Sequence, residues 1–320
     1  MITANDNTQA RGRALGALAR LFFLALLLVL SSANTFADES AKVLILNSDS
    51  KVRKYTFTNN TFKSKLGYNI AEIDLLGDKV NESLIKKTLS NFKPDVIYCI
   101  GARAYLAAHK LAKNSSIVFS SALNWKRLPI NKNTYGVANE LPTGMQLMIY
   151  RYFFPAINKI GVVYSESFNK EWLKAAIKAA NDIGVEIIGE PVRKPDEVGG
   201  ALSRLLPKVD ALWITPDPVV LSSTQAILQI FSQSNTLKKP VFAYNEVYAR
   251  FGAVLVISAD LATIGRQAAE VATKILENKT ILSKIQNPAG SYITLNMVKV
   301  DKYGLDINME AMDSVNRLIQ

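Results

Sequence analysis

The chain has 320 residues, 38 of them Lys or Arg and 27 Asp or Glu, and a formal net charge of +11. This length exceeds what one compact core usually holds and indicates more than one lobe. A single cysteine and a single histidine exclude an intramolecular disulfide and a zinc site built from these side chains. The basic residues are scattered along the sequence, which favours a solvated basic surface over a nucleic-acid-binding patch.

Residues 1–37 have the pattern of a cleavable signal peptide. Three arginines precede the apolar run 21–30, and small residues follow it up to Ala37. This apolar run is too short to span a bilayer, which takes about 20 residues. We therefore expect export to the periplasm and a mature chain that begins near Asp38. A retained signal anchor is the alternative interpretation.

From residue 41 onward, short apolar runs alternate with longer amphipathic stretches, which is the pattern of a parallel sheet covered by helices. The strands of the first half are nearly continuous in apolar character, so we expect them to be buried on both faces. They are predicted at residues 43–46, 70–73, 96–100, 117–119 and 135–137. The helices between them are predicted at residues 54–66, 81–92 and 102–113.

The second half repeats this scheme. Its strands are predicted at residues 160–164, 186–189, 211–214, 241–243 and 254–257, and its helices at residues 169–183, 197–206 and 221–232. A bridging helix is predicted at residues 143–154, where Pro155 ends it. A further helix at 262–276 precedes an extended return at 290–295.

Segments of the two halves resemble each other in sequence. The apolar run 41–48, which ends in polar residues, recurs at 158–165, and the apolar run after Asp95 recurs after Asp210. Such repetition predicts two similar α/β lobes, each a mainly parallel sheet flanked by helices, joined by a multi-segment hinge. The first lobe is expected to comprise residues 41–138 and about 258–284. The second is expected to comprise residues 139–257 and about 285–320.

The sequence contains few of the residue patterns that enzymes use. His109 lies on a predicted helix, and Cys99 lies inside an apolar strand. The chain has no G-x-S-x-G motif that could supply a nucleophilic serine for a catalytic triad with His109. The chain also has neither a phosphate-binding P-loop nor a G-x-G-x-x-G turn. We expect no enzyme, no metal and no cofactor. A catalytic pair of carboxylates stays open, because many Asp and Glu residues are available.

Polar side chains cluster where the predicted strands end. Ligands of open α/β sheets bind outside these carboxyl ends. The candidate ligand-binding residues are Ser48, Ser120, Ser121, Asn124, Glu140, Ser165, Asn169, Asp217, Tyr244 and Asn245. Hydroxyl groups and helix N-termini would suit a carboxylate, and Asp217 or Glu140 would suit an ammonium group, so the set predicts a zwitterionic ligand. The alternative for each Ser, Asn or Asp is that it caps the helix that follows.

The chain resembles the substrate-binding proteins of ABC transporters, in the family that includes tryptophan- and tyrosine-binding proteins. The segments that carry this resemblance are residues 117–124, 158–165, 210–217, 264–276 and 293–305. The resemblance implies the type I periplasmic binding fold, in which two lobes close on a ligand. It also implies ligand contacts at residues 120–121, Glu140, residues 165–169 and Asp217. Pro218, Tyr248, Arg250 and Phe251 depart from the family pattern, and these departures concern the identity of the ligand.

Together these patterns predict a periplasmic protein, monomeric, that captures a small amino-acid-like molecule and delivers it to an ABC permease. A second hypothesis is a sensory subunit that docks on a receptor kinase after binding the same ligand. A hydrolase that uses carboxylates in the cleft is a third. A DNA-binding regulator of related design is a fourth, and the leader in place of a helix-turn-helix argues against it.

Overall fold

The computed structural model describes residues 41–77 and 80–320 of the chain. The predicted leader, residues 1–37, lies outside the described residues. The described part contains two mainly parallel sheets flanked by helices, as predicted. None of the helices in this part is long and apolar enough to cross a membrane.

The strands and helices follow one another in the order expected of a repeated α/β chain. The strands are β1 (Lys42–Asn47), β2 (Asn69–Asp74), β3 (Val96–Ile100), β4 (Ser116–Ser120), β5 (Thr134–Val137), β6 (Lys159–Ser165), β7 (Glu186–Val192), β8 (Ala211–Trp213), β9 (Val241–Ala243), β10 (Leu255–Ala259), β11 (Ile285–Gln286), β12 (Ser291–Asn296) and β13 (Arg317–Ile319). The helices are α1 (Arg53–Lys63), α2 (Glu82–Phe92), α3 (Ala102–Leu111), α4 (Thr143–Phe153), α5 (Glu166–Asn181), α6 (Val198–Leu205), α7 (Thr224–Thr236), α8 (Leu261–Leu276) and α9 (Met297–Tyr303).

The two sheets share one topology. The first has the order β11-β5-β4-β3-β1-β2, and the second has the order β13-β12-β10-β9-β8-β6-β7. In both sheets, the first strand of the repeat lies between the second and the third. This arrangement places a topological switch point between β1 and β3 and another between β6 and β8. Strand β12 runs antiparallel to β10, and β13 pairs parallel with β12, so these two strands depart from the parallel pattern.

The chain passes between the two sheets three times within the described residues. It leaves the first sheet after β5, returns after β10 through α8, and leaves again between β11 and β12. Helix α8 packs on α1 and on β3, β4 and β5, whereas α4 packs on α5. We call the first sheet with its helices lobe 1 and the second sheet with its helices lobe 2.

Apolar side chains fill both faces of each sheet, as the continuous apolar strands predict. One core cluster extends through both lobes, with Tyr98 stacked on Phe62 in lobe 1 and Tyr150 stacked on Phe242 in lobe 2. The ring centroids of these pairs lie 3.8 and 4.5 Å apart. Two further clusters cover the other face of each sheet. Each lobe is therefore a rigid platform for the loops at its strand ends.

The seventh helix begins later than the sequence pattern indicates. The predicted helix 221–232 is observed as α7, Thr224–Thr236. The preceding residues form a turn because the Asp217 side chain accepts hydrogen bonds from the backbone N–H groups of Val219 and Val220. Ser223 then caps α7 by accepting from the N–H of Ala226 at 3.1 Å. A side-chain contact, and not local propensity, sets this boundary.

Helices α1 and α8 approach each other closely at Gly265. A Cβ atom added there would lie 2.6 Å from the backbone carbonyl oxygen of Thr58 and would also overlap the Thr61 hydroxyl. A backbone atom cannot move aside as the end of a side chain can. This position therefore requires glycine if α8 is to pack on lobe 1 at the observed distance.

We expect Gly265→Ala to lower the free energy of unfolding by roughly 1–3 kcal/mol, because overpacking forces two helices apart. Gly144→Ala is the matched control, since a Cβ at this helical position meets no described atom within 4 Å. It should leave stability unchanged or raise it by about 0.5–1 kcal/mol. Urea unfolding of both variants checks this, and equal stabilities would contradict the close-approach argument.

Candidate functional site

The polar residues at the carboxyl ends of the strands lie beside the two switch points. In lobe 1, Asn47 and Ser48 end β1, and Gly101 follows β3. In lobe 2, Ser165 ends β6, and Asp217 follows β8. In doubly wound sheets, this position is where ligands bind.

The Ser48 side chain stabilises the fold of lobe 1. Its hydroxyl oxygen accepts the N–H of Ala104 at 3.1 Å, in the first turn of α3. Gly101 has a φ of +88°, and a Cβ there would lie 2.6 Å from the Ser48 hydroxyl and 3.0 Å from the Tyr55 ring. Ser48 therefore stabilises the first turn of α3, whereas the helix that follows it in the sequence, α1, begins without a side-chain cap. Tyr55, which sequence reasoning missed, closes over the same turn.

Ser120 and Ser121 are neighbours in the chain, but their side-chain environment and backbone conformation differ. The Ser120 hydroxyl is fully buried and lies 2.6 Å from the Tyr98 hydroxyl, so it belongs to the core of lobe 1. Ser121 is also buried, but its φ of 56° is left-handed, and Asn124 has a φ of 55°. Two left-handed residues other than glycine in one loop are costly and are typical of functional sites. They turn residues 121–127 toward lobe 2.

Asp217 is the centre of a hydrogen-bond network in lobe 2. Its carboxylate accepts from the N–H of Ser165 at 2.7 Å, from the Ser165 hydroxyl at 2.8 Å and from the Asn169 amide at 2.7 Å. It also accepts from the N–H groups of Val219 and Val220, at 2.8 and 3.0 Å. The side chain is buried, and these donors fill its acceptor capacity. This saturation favours a positioning role for Asp217, Ser165 and Asn169 at the edge of the site.

Arg127 links this network to lobe 1. Its guanidinium donates to the Asn169 side-chain oxygen at 2.9 Å and to the Phe168 carbonyl at 3.0 Å. Desolvation lowers the pKa of Arg127, and the charges of Asp217 and Glu140 oppose this change. Sequence reasoning missed Arg127, although it follows Asn124 by three residues in a loop already selected at the end of β4.

Glu140 lies where the chain first leaves lobe 1, and its carboxylate is only partly satisfied. One oxygen, Oε1, accepts the backbone N–H of Asn124. The other, Oε2, is buried without a hydrogen-bond partner, as is the Oδ1 atom of Asn139. Burial raises the pKa of Glu140, and the hydrogen bonds from Asn124 and from the backbone at 139–140 partly offset the rise. The charge of Arg127 also lowers this pKa, but Oε2 of Glu140 has no direct hydrogen-bond or ion-pair partner.

Tyr244 and Asn245 follow β9 on the lobe 2 side. The rings of Tyr244 and Tyr248 lie 5.6 Å apart, and burial, the Tyr248 side chain and the charge of Glu140 raise the pKa of Tyr244. The Asn245 side chain accepts the N–H of Val247 at 3.0 Å and so caps the 3-10 helix Glu246–Phe251. Tyr244 is therefore close enough to Glu140 to feel its charge, whereas Asn245 has a local structural task.

Unpartnered buried polar atoms concentrate at this edge. Among the described residues, six buried side-chain nitrogen or oxygen atoms lack a partner, and four of them belong to Asn47, Asn139, Glu140 and Thr215. All four residues end or follow a strand of the two sheets. Buried polar atoms are normally hydrogen-bonded, so such a cluster marks a place where a ligand supplies the missing partners.

The described residues offer little for catalysis. They contain no group of three or more His, Cys, Asp or Glu side chains that could hold a metal ion. His109 lies on α3, with its Nδ1 atom 3.4 Å from the Tyr105 hydroxyl. Cys99 is fully buried in β3, and burial raises the pKa of its thiol far above the usual value. The polar groups at the strand ends can bind a polar molecule.

Two sequence comparisons match most of the chain. A family model described as ABC transporter substrate binding protein matches residues 45–313. A curated tyrosine-binding protein from Clostridioides difficile (strain R20291) is 25% identical over 226 residues, which are 68% of this chain. The match covers 64% of that relative, so the chain spans less than two thirds of its length. Both matches are to binding proteins and not to enzymes.

Solved structures resemble the fold over nearly their whole length. An ABC domain in complex with L-Trp from Streptococcus pneumoniae is 17% identical, with a TM-score of 0.62 over 87% of this chain and 99% of that one. A ligand-free, open substrate-binding protein with adhesive properties from Clostridium difficile is 18% identical, with a TM-score of 0.69 over 88% of this chain and 99% of that one. At such identities the likeness shows the fold alone, and it confirms the predicted two-lobe architecture.

We expect Asp217→Ala to lower the free energy of unfolding by about 3 kcal/mol or more, because it leaves the buried donors of Ser165 and Asn169 unpaired. Asp182→Ala is the matched control, since Asp182 is exposed at the end of α5. It should change stability by about 0.5 kcal/mol or less. Chemical denaturation measures both. Wild-type stability of the Asp217 variant would show that the network contributes nothing to lobe 2.

Glu140 should make stability depend on pH in a particular direction. The pKa of Glu140 is higher in the folded state than the ordinary 4.5. The charged carboxylate therefore destabilises the folded protein at a pH above the folded-state pKa. This destabilisation decreases as the pH falls through the folded-state pKa and is gone below the ordinary pKa. We expect the wild-type protein to gain stability relative to Glu140→Gln as pH falls from neutral to about 4. Glu171→Gln, at a side chain 81% exposed, is the control. A pH-independent difference for Glu140→Gln, measured by urea unfolding, would contradict burial of this charge.

Proposed function

Because the chain belongs to the ABC transporter substrate-binding protein family, as the resemblance predicted, we propose that it captures a small amino-acid-like molecule between its lobes and delivers it to an ABC permease. The observation that carries this proposal is the buried, unpartnered Oε2 atom of Glu140 at the crossing between the lobes. The predicted leader supports action in the periplasm. The working unit is the monomer, and its partners are the ligand and the permease.

Glu140 suits the ammonium group of an amino acid. A buried carboxylate is costly unless a cation and hydrogen-bond donors accompany it. A ligand ammonium supplies a positive charge and three donors, and the adjacent Asn139 Oδ1 atom is a second unpartnered acceptor. Asp217 was the other sequence-based candidate for this role, but its acceptor capacity is already filled by lobe 2.

Donors on other strand ends suit the carboxylate of the same ligand. The Asn47 side chain accepts the N–H of Asp49 through its oxygen, at 3.2 Å, which leaves the amide nitrogen as the unpartnered atom. The Thr215 hydroxyl is likewise unpartnered and follows β8 in lobe 2. Acceptors at the crossing and donors at the strand ends support a zwitterionic ligand. The names of the tyrosine-binding relative and of the L-Trp complex support the same ligand class.

A thermal-shift screen of the twenty amino acids tests the proposal, with tyrosine and tryptophan first. A ligand at 100 times its dissociation constant should add about 2.7 kcal/mol of stability. For an amino acid that binds, we expect loss of affinity when either charged group is removed, as in tyramine or 3-(4-hydroxyphenyl)propionate for tyrosine. Failure of every amino acid to raise the melting temperature would refute the proposed ligand class.

Glu140→Gln should weaken binding of the amino acid found in that screen by roughly 30-fold or more, because the ammonium loses its buried counter-charge. The deaminated analogue should bind both proteins about equally, since it makes no such pair. Glu171→Gln is the control for loss of one acidic residue and should bind as the wild type does. Isothermal titration calorimetry gives all of these affinities. Unchanged affinity of Glu140→Gln for the amino acid would remove Glu140 from the site.

A further inference from the structure

Arg127 of lobe 1 makes three contacts with lobe 2. It ends the 3-10 helix Trp125–Arg127, between β4 and β5. Its guanidinium donates to the Phe168 carbonyl oxygen at 3.0 Å and to the Asn169 side-chain oxygen at 2.9 Å. The same group lies 4.8 Å from the centroid of the Phe168 ring, within the range of a cation–π interaction. One side chain thus holds the first turn of α5 from the other lobe.

The Asn169 amide bridges the Asp217 carboxylate and the Arg127 guanidinium. Its nitrogen donates to the Asp217 carboxylate at 2.7 Å, so its oxygen must face Arg127. An anion at one end and a cation at the other polarise the bridging amide and strengthen both hydrogen bonds. Because Ser165 and the turn at 219–220 also hold Asp217, the acceptor that Arg127 meets is fixed in place.

A second residue of the same loop, Asn124, also contacts lobe 2. The Asn124 amide nitrogen donates to the carbonyl oxygen of Pro216 at 3.0 Å, next to Asp217 in lobe 2. The Asn124 backbone N–H donates to Glu140, which lies at the crossing between the lobes. Both Asn124 and Ser121 have a left-handed backbone, so the loop is held in a costly conformation while it makes these contacts.

We propose that Arg127, supported by Asn124, is a positioning residue that ties the two lobes together and sets the equilibrium between closed and open arrangements. The covalent crossings constrain the lobes only at their hinge, so a rotation about the hinge that moves α5 away from residues 121–127 must break the Arg127 contacts. The tie acts without a ligand, because all of its partners belong to the chain. Ligand binding then adds to the stabilisation that the tie gives to the closed arrangement.

Distance measurements between the lobes of the ligand-free protein test the tie. Spin labels at Lys86→Cys in α2 and Lys208→Cys in lobe 2 use exposed positions in different lobes. The native Cys99 does not compete for label, because it is fully buried. Pulsed electron–electron double resonance then reports the populations of shorter and longer distances. The labelled protein with its native Arg127 is the reference.

We expect Arg127→Ala to shift the ratio of the two populations toward the longer distance by about tenfold, the value of one charge-assisted hydrogen bond. Phe168→Ala, at a side chain 48% exposed, should shift it in the same direction by a smaller factor. Arg127→Lys keeps the charge but loses the planar group and should lie between Arg127→Ala and the reference. Arg204→Ala is the control, because Arg204 pairs with Glu190 inside lobe 2 at 2.7 Å, and it should leave the distances unchanged.

Reference distances in both Arg127→Ala and Phe168→Ala would overturn the proposal. Circular dichroism melting of each variant separates an effect on the tie from a folding defect. If Arg127→Ala is unstable, Phe168→Ala and Arg127→Lys still test the contact. Since the measurement uses no ligand, it is independent of the proposed function: a failed amino-acid screen would leave this result standing, and the reverse also holds.

Discussion

The buried carboxylate of Asp217 is the interaction on which the strand-end edge of lobe 2 depends. It joins the end of β6 and the adjoining first turn of α5 to the turn before α7, and 52 positions separate Ser165 from Asp217 in the sequence. A buried charge is tolerated only when donors surround it, so these segments cannot separate without exposing an unpaired anion. The same constraint fixes Asn169, which presents its oxygen to Arg127. The shape of lobe 2 and its contact with lobe 1 therefore share one origin.

Polar groups at the strand ends divide into those with hydrogen-bond partners within the protein and those without. Ser48 and Asn245 each accept a backbone N–H in the first turn of a helix, and Ser120 bonds to Tyr98, so their polar atoms are in use. Glu140 and Asn139 keep buried acceptors without partners beside them. A binding site needs such groups ready before the ligand arrives, because forming them afterwards would cost affinity. In the free protein, burial of the Glu140 carboxylate raises its pKa, and the charged form lowers the stability of the fold.

The repeat gives both lobes a comparable strand-end edge, and the loops at these two edges differ. Both sheets place their first strand beside the third, so each lobe offers a switch point with polar strand ends. The loop after β4 in lobe 1 carries left-handed residues and contacts Pro216 at the strand-end edge of lobe 2. The loop after β9 in lobe 2 forms a longer 3-10 helix, Glu246–Phe251, which Asn245 caps.

The sequence by itself determined the alternation of strands and helices and the two-lobe repeat, because apolar periodicity and strand-end polarity are local patterns. The resemblance of whole segments to known binding proteins indicated the family. The sequence pattern also placed Glu140 and Asp217 at strand ends. Only the tertiary structure decided that Asp217 is saturated and Glu140 is not, since this depends on donors from Ser165, Asn169 and the turn at 219–220. Arg127 was missed because its partners lie about 40 positions away in the sequence, and the late start of α7 was missed because the Asp217 side chain binds the backbone N–H groups of the turn before that helix.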